Sequence, residues 1–276
     1  MPRNPSPTGG SREPGHPPGA RSKEHHRPPG SLTPYPGRVP CPLYPVAHMN
    51  LLLFDIDGTL MKAGGAGFRA MEQAVEQRLG VRNATAGIVP HGKTDPLILR
   101  EILHRIGVGP TTTSAVLPRL IEDYERLLAV EMPRAPAVLL PGTRDLLDAL
   151  SRQPHVLLGL LTGNLERTAR IKLRRFELDR FFRFGAFGSD AEHRVALPAI
   201  AVARAEHLAG AAIGLGRHVH IIGDTQRDVE CALANGATAV AVATGGATAE
   251  ELRGAGAHAV FEDFTNTADV VAALIG

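Results

Sequence analysis

Two aspartates one residue apart, Asp55 and Asp57, directly follow an apolar run over residues 51–54. Such a run is typical of a buried strand, and ligands bind beyond the carboxyl ends of the strands in an open parallel sheet. Because side chains alternate along a strand, the two carboxylates share a cleft only if the strand ends at Asp55 and a turn at Gly58 carries Asp57 back. One carboxylate then attacks an electrophile or holds a metal while the other transfers a proton. An ordinary strand-to-turn exit explains the same residues, since Asp and Gly both favour turns.

A second apolar run, over residues 156–161, ends in Thr162, Gly163 and Asn164. The hydroxyl, the amide and the backbone N–H groups of such a turn suit phosphate oxygens at a helix N-terminus. This segment is therefore a candidate phosphate-binding loop after a second buried strand.

A third apolar run, over residues 219–222, precedes Asp224, and Asp228 lies four residues further on. If a helix begins near Thr225, this spacing places both carboxylates at the mouth of one cleft. Together with Asp55 they form an oxygen-rich cluster. Mg²⁺ prefers carboxylates, water and substrate phosphate as ligands, so the cluster predicts a Mg²⁺ cofactor.

The order of these three segments resembles the haloacid dehalogenase superfamily of phosphatases. The first motif of the superfamily matches residues 55–59, the second matches residues 162–164, and the fourth matches residues 223–228. The resemblance covers residues 49–276, and the layout is most similar to the phosphoglycolate phosphatase group. It implies a phosphoric monoester hydrolase that acts on a small phosphorylated metabolite.

The resemblance also implies a role for each matched residue. Asp55 is expected to attack phosphorus and form an aspartyl-phosphate intermediate, and Asp57 to protonate the leaving alkoxide and then activate water. The implied metal ligands are Asp55, Asp224 and the backbone carbonyl of Asp57, while Asp228 orients Asp224 or a metal-bound water. The residues implied to hold the phosphoryl oxygens are Thr162, Gly163 and Asn164.

The third motif departs from its usual form, which is a lysine that steadies the phosphate and the nucleophile. Between Thr162 and Asp224 the one lysine is Lys172, early in the helix predicted after the second motif. The expected region contains Arg194 instead, and we predict that Arg194 binds the phosphate. Arginine binds oxygen anions as a planar fork, so the exchange is not neutral. The alternative is that Arg194 is a solvated loop charge and that Lys172 takes the role.

The alternation of apolar runs and helical patterns from residue 156 onward predicts an α/β fold with a doubly wound, Rossmann-like parallel sheet. Between the first and second motifs the pattern is helical instead. Its helical stretches are residues 68–79, 96–106 and 114–131. By the resemblance this part is a helical cap domain inserted after the first strand. We assign residues 66–135 to the cap, and residues 49–65 and 136–276 to the core.

Two stretches rich in glycine or proline, residues 64–67 and 133–142, are the predicted hinges of this cap. Within it, Lys93, Thr94 and Asp95 precede the second predicted helix and are candidate substrate-binding residues. A lysine and a threonine before a helix start can meet an anionic substrate, and the resemblance places this loop at the active site. Capping of the helix by Asp95 explains the same residues, and binding and capping can coexist.

Residues 1–48 differ from the rest of the chain. They hold 13 of its 22 prolines and scarcely any apolar periodicity, which predicts a disordered tail. A chain start at Met49 is an alternative, because Met49 directly precedes the first apolar run. The tail has six basic and two acidic residues, so its charge of +4 exceeds the +2 of the whole chain and leaves −2 for the remainder. The basic pI of about 8.7 therefore does not indicate nucleic-acid binding by the folded part.

No apolar run approaches the roughly 18 residues of a membrane span. The two cysteines, Cys41 and Cys231, lie in the tail and in a helical pattern, so no disulfide framework is expected. We therefore expect a cytoplasmic protein whose partner is a small phosphorylated substrate, with no nucleic-acid or membrane partner.

Three other functions fit parts of the pattern. A dehalogenase fits poorly, because Asp57 and the metal site would have no role in it. A phosphosugar mutase of the β-phosphoglucomutase type shares the cap and the motifs, but it needs cap groups that hold a bisphosphate intermediate. A catalytically silent binding or regulatory protein does not require the acidic residues of the reaction, and all of these are present.

Overall fold

The computed structural model describes residues 49–90 and 92–276. The predicted tail, residues 1–48, lies outside the described residues. The strands of the described part are β1 (Asn50–Phe54), β2 (Met61–Lys62), β3 (Val138–Leu139), β4 (Val156–Leu161), β5 (Gly185–Ala186), β6 (Val219–Gly223), β7 (Thr238–Val242) and β8 (Ala259–Phe261). Its α-helices are α1 (Ala66–Leu79), α2 (Asp95–Arg105), α3 (Pro110–Glu131), α4 (Thr143–Ser151), α5 (Glu166–Arg174), α6 (Leu197–Ala209), α7 (Gln226–Ala234), α8 (Ala249–Gly254) and α9 (Thr267–Ile275).

Six strands form one sheet in the spatial order β5-β4-β1-β6-β7-β8. Every pair of neighbours in this sheet is parallel. β1 is first in the chain but lies between β4 and β6, so the chain winds away from it in both directions. This is the doubly wound arrangement, in which ligands bind where the strand order reverses. The predicted α/β fold class is confirmed.

The side chains of β1 are divided between the two faces of the sheet. Leu52 and Phe54 belong to a hydrophobic cluster that includes residues of α4 and α9. Leu51 and Leu53 belong to a second cluster, with residues of α6 and α7. All four side chains are fully buried, and each such burial stabilises the fold by roughly 1.5–3 kcal/mol. β1 is therefore held firmly, and so is the residue that follows it.

A helical insertion, residues 66–135, carries α1, α2 and α3 between β2 and β3. Within it, α3 packs against both α1 and α2. The short strands β2 and β3 pair antiparallel, with Met61 opposite Leu139 and Lys62 opposite Val138. β3 lies within the predicted hinge at residues 133–142, whereas β2 ends two residues before the other predicted hinge, residues 64–67. This two-stranded ladder was not predicted, because two residues are too few to show a strand period.

Most of the predicted helices and strands are present, with shifted ends. α3 begins at Pro110 rather than at residue 114, and proline is favoured in the first helical turn. α4 was not among the predictions, although it buries Leu146, Leu147 and Leu150 on one face. No helix of the described residues is long and apolar enough to cross a membrane.

Candidate active site

A cavity of about 480 Å³ opens at the carboxyl ends of β1, β4 and β6. The loops after these strands line one side of it, and the helical insertion lines the other. Its polar lining includes Asp55, Asp57, Thr162, Gly163, Asn164, Asp224, Lys62, Lys93, Lys172 and Arg194. Its apolar lining includes Phe68, Met71, Ile98 and Tyr124. The three segments identified from the sequence therefore meet at one site.

Asp55 and Asp57 enter the cavity from one turn. β1 ends at Phe54, and the backbone N–H of Asp55 still donates to Ile222 of β6 at 2.9 Å. Gly58 then adopts a left-handed φ of 87°, and a Cβ there would lie 2.3 Å from a carboxylate oxygen of Asp224. Only glycine fits this turn without strain. The turn leaves Asp55 buried, whereas the side chain of Asp57 is 40% exposed.

Asp55 belongs to a cluster of three buried carboxylates with Asp224 and Asp228. One oxygen from each lies within 4.8 Å of the others. Burial, opposed in part by Arg194, raises the pKa of Asp55 to about 6, and Asp228 and Asp57 add to the rise. Burial also raises the pKa of Asp224 to about 8, with further contributions from Asp228 and Asp55. The carboxylates therefore repel one another strongly in the absence of a bound cation.

This cluster fits a hard divalent cation. Asp228 uses Oδ2 to cap α7, accepting from the N–H and the hydroxyl of Thr225 at 3.0 and 2.7 Å. Its buried Oδ1 accepts no hydrogen bond within the described part of the chain, and its charged neighbour is Arg194. Three carboxylates against one guanidinium leave excess negative charge among oxygen atoms. A hard oxygen-seeking cation such as Mg²⁺ suits that donor set.

Arg194 lies beside the predicted nucleophile. Its Nη2 is 3.3 Å from Asp55 Oδ1, forms an ion pair with Asp228 and donates to Leu161 O at 3.0 Å. The side chain is buried, and the two carboxylates outweigh burial and raise its pKa above the ordinary value. Arg194 is therefore no solvated loop residue.

Lys172 also reaches the site, but it contacts the other aspartate. Its Nζ lies 2.5 Å from Asp57 Oδ2 and 2.6 Å from Asn164 Oδ1. Lys172 stands in the last turn of α5, so its predicted place early in that helix is wrong. Burial acts to lower its pKa, but Asp57 and Asp95 outweigh burial and raise it. The site thus contains both Arg194 and Lys172, each beside a different aspartate.

The predicted phosphate-binding loop follows β4. Asn164 Nδ2 donates to Asp57 Oδ2 at 2.9 Å and to Thr162 Oγ1 at 2.8 Å. The backbone N–H of Thr162 pairs with Ala186 of β5 at 3.1 Å. These bonds connect the loop both to the sheet and to Asp57.

The three residues predicted as the substrate loop of the cap have different surroundings. Lys93 lines the cavity, but its Nζ lies 2.5 Å from Glu101 Oε2. Thr94 is the N-cap of α2, so the proposed capping by Asp95 is wrong. Asp95 is the first residue of that helix, and its carboxylate contacts the core instead. Tyr124 of α3 was missed altogether, because nothing in its helical pattern distinguishes it from a core residue.

Several solved structures share this fold. A hydrolase from Pseudomonas syringae is 22% identical, with a TM-score of 0.61 over 83% of this chain and 100% of its own. A Lactobacillus delbrueckii subsp. bulgaricus protein, provisionally described as a phosphoglycolate phosphatase, is 19% identical, with a TM-score of 0.58 over 83% and 99%. A Thermotoga maritima protein, provisionally described as a β-phosphoglucomutase, is 20% identical, with a TM-score of 0.53 over 82% and 100%. At these identities the similarity establishes the fold alone.

A search among curated proteins found no match. A family model described as haloacid dehalogenase-like hydrolase matches residues 49–236. The match spans more than half of the chain and includes all three segments that carry the resemblance. It confirms the superfamily and the hydrolase class predicted from those segments. The chain belongs to the haloacid dehalogenase-like hydrolases.

Proposed function

We propose that this protein is a Mg²⁺-dependent phosphatase that hydrolyses a small phosphorylated metabolite through an aspartyl-phosphate intermediate. The observation that carries the proposal is the different surroundings of two carboxylates on one turn. Asp55 is buried in the acidic cluster beside Arg194, whereas Asp57 faces the cavity and contacts Lys172. Carboxyl groups with different environments take different roles in a reaction, here a nucleophile and a proton donor.

The reaction proceeds in two steps. A carboxylate oxygen of Asp55 attacks phosphorus, the bond from phosphorus to the leaving oxygen breaks, and protonated Asp57 gives its proton to that oxygen. In the second step Asp57, now a carboxylate, takes a proton from the water that attacks phosphorus. The bond between Asp55 and phosphorus then breaks and releases phosphate. Lys172 and Asn164 both donate to Asp57 Oδ2, at 2.5 and 2.9 Å, so they fix the orientation of the carboxyl group and leave its other oxygen to carry the proton.

Thr162, Gly163, Asn164 and Arg194 would hold the phosphoryl oxygens. We further propose that Arg194 and Lys172 share the function of the third motif. Arg194 orients Asp55 and offsets the charge of the cluster, while Lys172 holds Asp57. The contacts at 3.3 Å for Arg194 and 2.5 Å for Lys172 support this division, because each cation touches one aspartate of the pair.

Asp55, Asp224 and the backbone carbonyl of Asp57 would hold Mg²⁺, with Asp228 in the same cluster. When bound, Mg²⁺ offsets the repulsion between the Asp55 carboxylate and an anionic phosphate ester. The buried oxygen-rich cluster supports this assignment.

The helical insertion would act as the cap domain, with the ladder of β2 and β3 as its connection to the core. The part of the cavity wall that the insertion forms is mostly apolar. Lys93 in that wall forms an ion pair with Glu101 at 2.5 Å. A mutase must hold a bisphosphate intermediate through polar cap groups, so this lining favours hydrolysis over the phosphosugar mutase. We also propose a cytoplasmic location, which the scarcity of cysteines supports.

Phosphate release from p-nitrophenyl phosphate by the purified chain tests the proposal. Release is expected with Mg²⁺, and both EDTA and Asp55→Asn should abolish it. A panel of phosphorylated metabolites then identifies the substrate. Isomerisation of a sugar phosphate without release of phosphate would indicate a mutase. Binding of Mg²⁺ with no turnover of any ester would indicate a silent binding protein.

A further inference from the structure

Helix α5, which carries Lys172, has no capping side chain of its own. Its N-cap residue, Leu165, forms no side-chain capping bond, and the N–H of Glu166 donates to Ser189 Oγ at 3.3 Å. These groups need acceptors when a helix begins in a buried place. The helix follows directly on the phosphate-binding loop, residues 162–164, so its start lies at the site.

Asp95, the first residue of α2 in the helical insertion, supplies an acceptor for the N–H of Leu165. Its Oδ2 accepts from the backbone N–H of Leu165 at 3.0 Å and from Thr168 Oγ1 at 3.0 Å. Tyr124 of α3 donates to the same oxygen at 3.3 Å. Asp95 is only 6% exposed. A carboxylate of the insertion is therefore buried against the start of a core helix, where its hydrogen bonds offset the free energy of desolvation.

The backbone around Asp95 docks on the phosphate-binding loop. The N–H of Asp95 donates to Gly163 O at 2.7 Å. A Cβ at Gly163 would lie 2.2 Å from Lys93 O, and a Cβ at Gly188 would lie 2.2 Å from Gly163 O. Both positions need glycine for this close approach of backbones. Gly163 therefore leaves room for the backbone of the insertion, and Gly188 leaves room for the loop on which the insertion docks.

Asp95 also contacts the helix that carries the cation beside Asp57. Lys172 bonds directly to Asp57 and Asn164, at 2.5 and 2.6 Å. Thr168, which donates to Asp95 Oδ2 at 3.0 Å, lies about one turn before Lys172 in α5. The turn of α5 that precedes Lys172 is thus held by a residue of the insertion.

We propose that Asp95 is a positioning residue that couples docking of the helical insertion to the placement of Lys172 and Asp57. With residues 94 and 95 docked, Asp95 accepts from the N–H of Leu165 and holds the turn of α5 that precedes Lys172. With the segment withdrawn, the Leu165 N–H and Thr168 lose this acceptor, and Lys172 and Asp57 lose their fixed orientation. This role differs from the substrate contact predicted for Asp95, and it rests on the proposed phosphatase function.

Hydrogen exchange tests the docking without any need for turnover. The variants are Asp95→Ala, Asp95→Asn and, as a matched control, Asp123→Asn, whose carboxylate pairs with Arg78 elsewhere in the insertion. Amide exchange over residues 163–172 should be at least about tenfold faster in Asp95→Ala than in wild type, and faster by a smaller factor in Asp95→Asn. The exchange rates of peptides from β4 and β6 should not change in either variant. Asp123→Asn should match wild type throughout. Wild-type exchange over residues 163–172 in both Asp95 variants would overturn the proposal.

Steady-state kinetics on p-nitrophenyl phosphate test the coupling, once wild-type turnover is established. Asp95→Asn should lower kcat by about tenfold or more and change KM by less than about threefold, because Asp95 acts through Lys172 and not on the substrate. In a Lys172→Met background, Asp95→Asn should have little further effect on kcat. Equal fold-losses in both backgrounds would show a merely structural role and overturn the coupling. An inactive wild type would refute the phosphatase, and hydrogen exchange would then decide the docking alone.

Discussion

Replacement of Arg194 by alanine removes the guanidinium that compensates the acidic cluster. Arg194 is 8% exposed and is the one basic side chain that the described residues place in ion-pair contact with Asp55 and Asp228. Its removal leaves Asp55, Asp224 and Asp228 buried together without a counter-charge. In the metal-free protein this change should therefore lower the free energy of unfolding strongly.

The size of the effect follows from the burial of both partners. Removal of one partner from a buried ion pair costs about 3–5 kcal/mol, because the other charge stays uncompensated. For a domain of this size about 1 kcal/mol lowers Tm by roughly 2–4 °C, so we expect a fall of about 6–20 °C. Arg194→Lys should recover part of the loss, since it restores the charge but not the planar fork. Burial raises the pKa of Asp55 to about 6 and that of Asp224 to about 8, and protonation of these two groups relieves the same repulsion, so the loss should be smaller near pH 5 than near pH 8.

Urea unfolding in EDTA measures the loss for wild type, Arg194→Ala and Arg194→Lys. Arg119→Ala is the control, because Arg119 forms an exposed pair with Glu122 and should leave the unfolding midpoint unchanged. A loss below about 1 kcal/mol for Arg194→Ala would refute the reasoning, because it would place the interaction in the range of surface ion pairs.

Asp55→Asn keeps the shape of the side chain but removes the nucleophilic charge, so turnover should fall by orders of magnitude while the circular dichroism spectrum is retained. More than about a tenth of the wild-type rate, equivalent to roughly 1.4 kcal/mol, would contradict the nucleophile assignment. Burial, with Asp228 and Asp55, raises the pKa of Asp224 from 3.8 to about 8. Because the folded pKa lies above the unfolded value, the metal-free protein should lose stability progressively as the pH rises from 3.8 to about 8, with no further loss from this group above that pH. Mg²⁺ should bind more tightly over the same rise, with release of protons, and calorimetry that finds a constant affinity from about pH 6 to about pH 9 would exclude this linkage. Deletion of residues 1–48 should leave Tm and activity nearly unchanged, and a large loss of either would show that the tail contributes to the fold or the site.

The local sequence pattern was sufficient to predict the strands and loops that hold the candidate catalytic residues. An unbroken apolar run such as residues 51–54 has to be buried on both faces, which predicts a central parallel strand. A turn residue next to a carboxylate then shows where that strand ends. Because the carboxyl ends of parallel strands meet at one edge, Asp55, Asp224 and the loop at residues 162–164 could be placed together without a structure. The ladder of β2 and β3 could not be predicted, since its pairing depends on how the chain enters and leaves the insertion.

The sequence by itself therefore determined the fold class, the position of the site in it and the residues at the ends of its strands. The tertiary structure alone decided which side chains meet across long separations. Lys172 reaches Asp57 only because α5 packs with its last turn at the cavity, while Arg194 reaches Asp55 from the turn that precedes α6. The local sequence predicts that Asp95 caps a helix, yet its carboxylate accepts from the N–H of Leu165, 70 positions away. Such contacts depend on how whole helices and strands pack against one another, and the local periodicity of a sequence does not predict that packing.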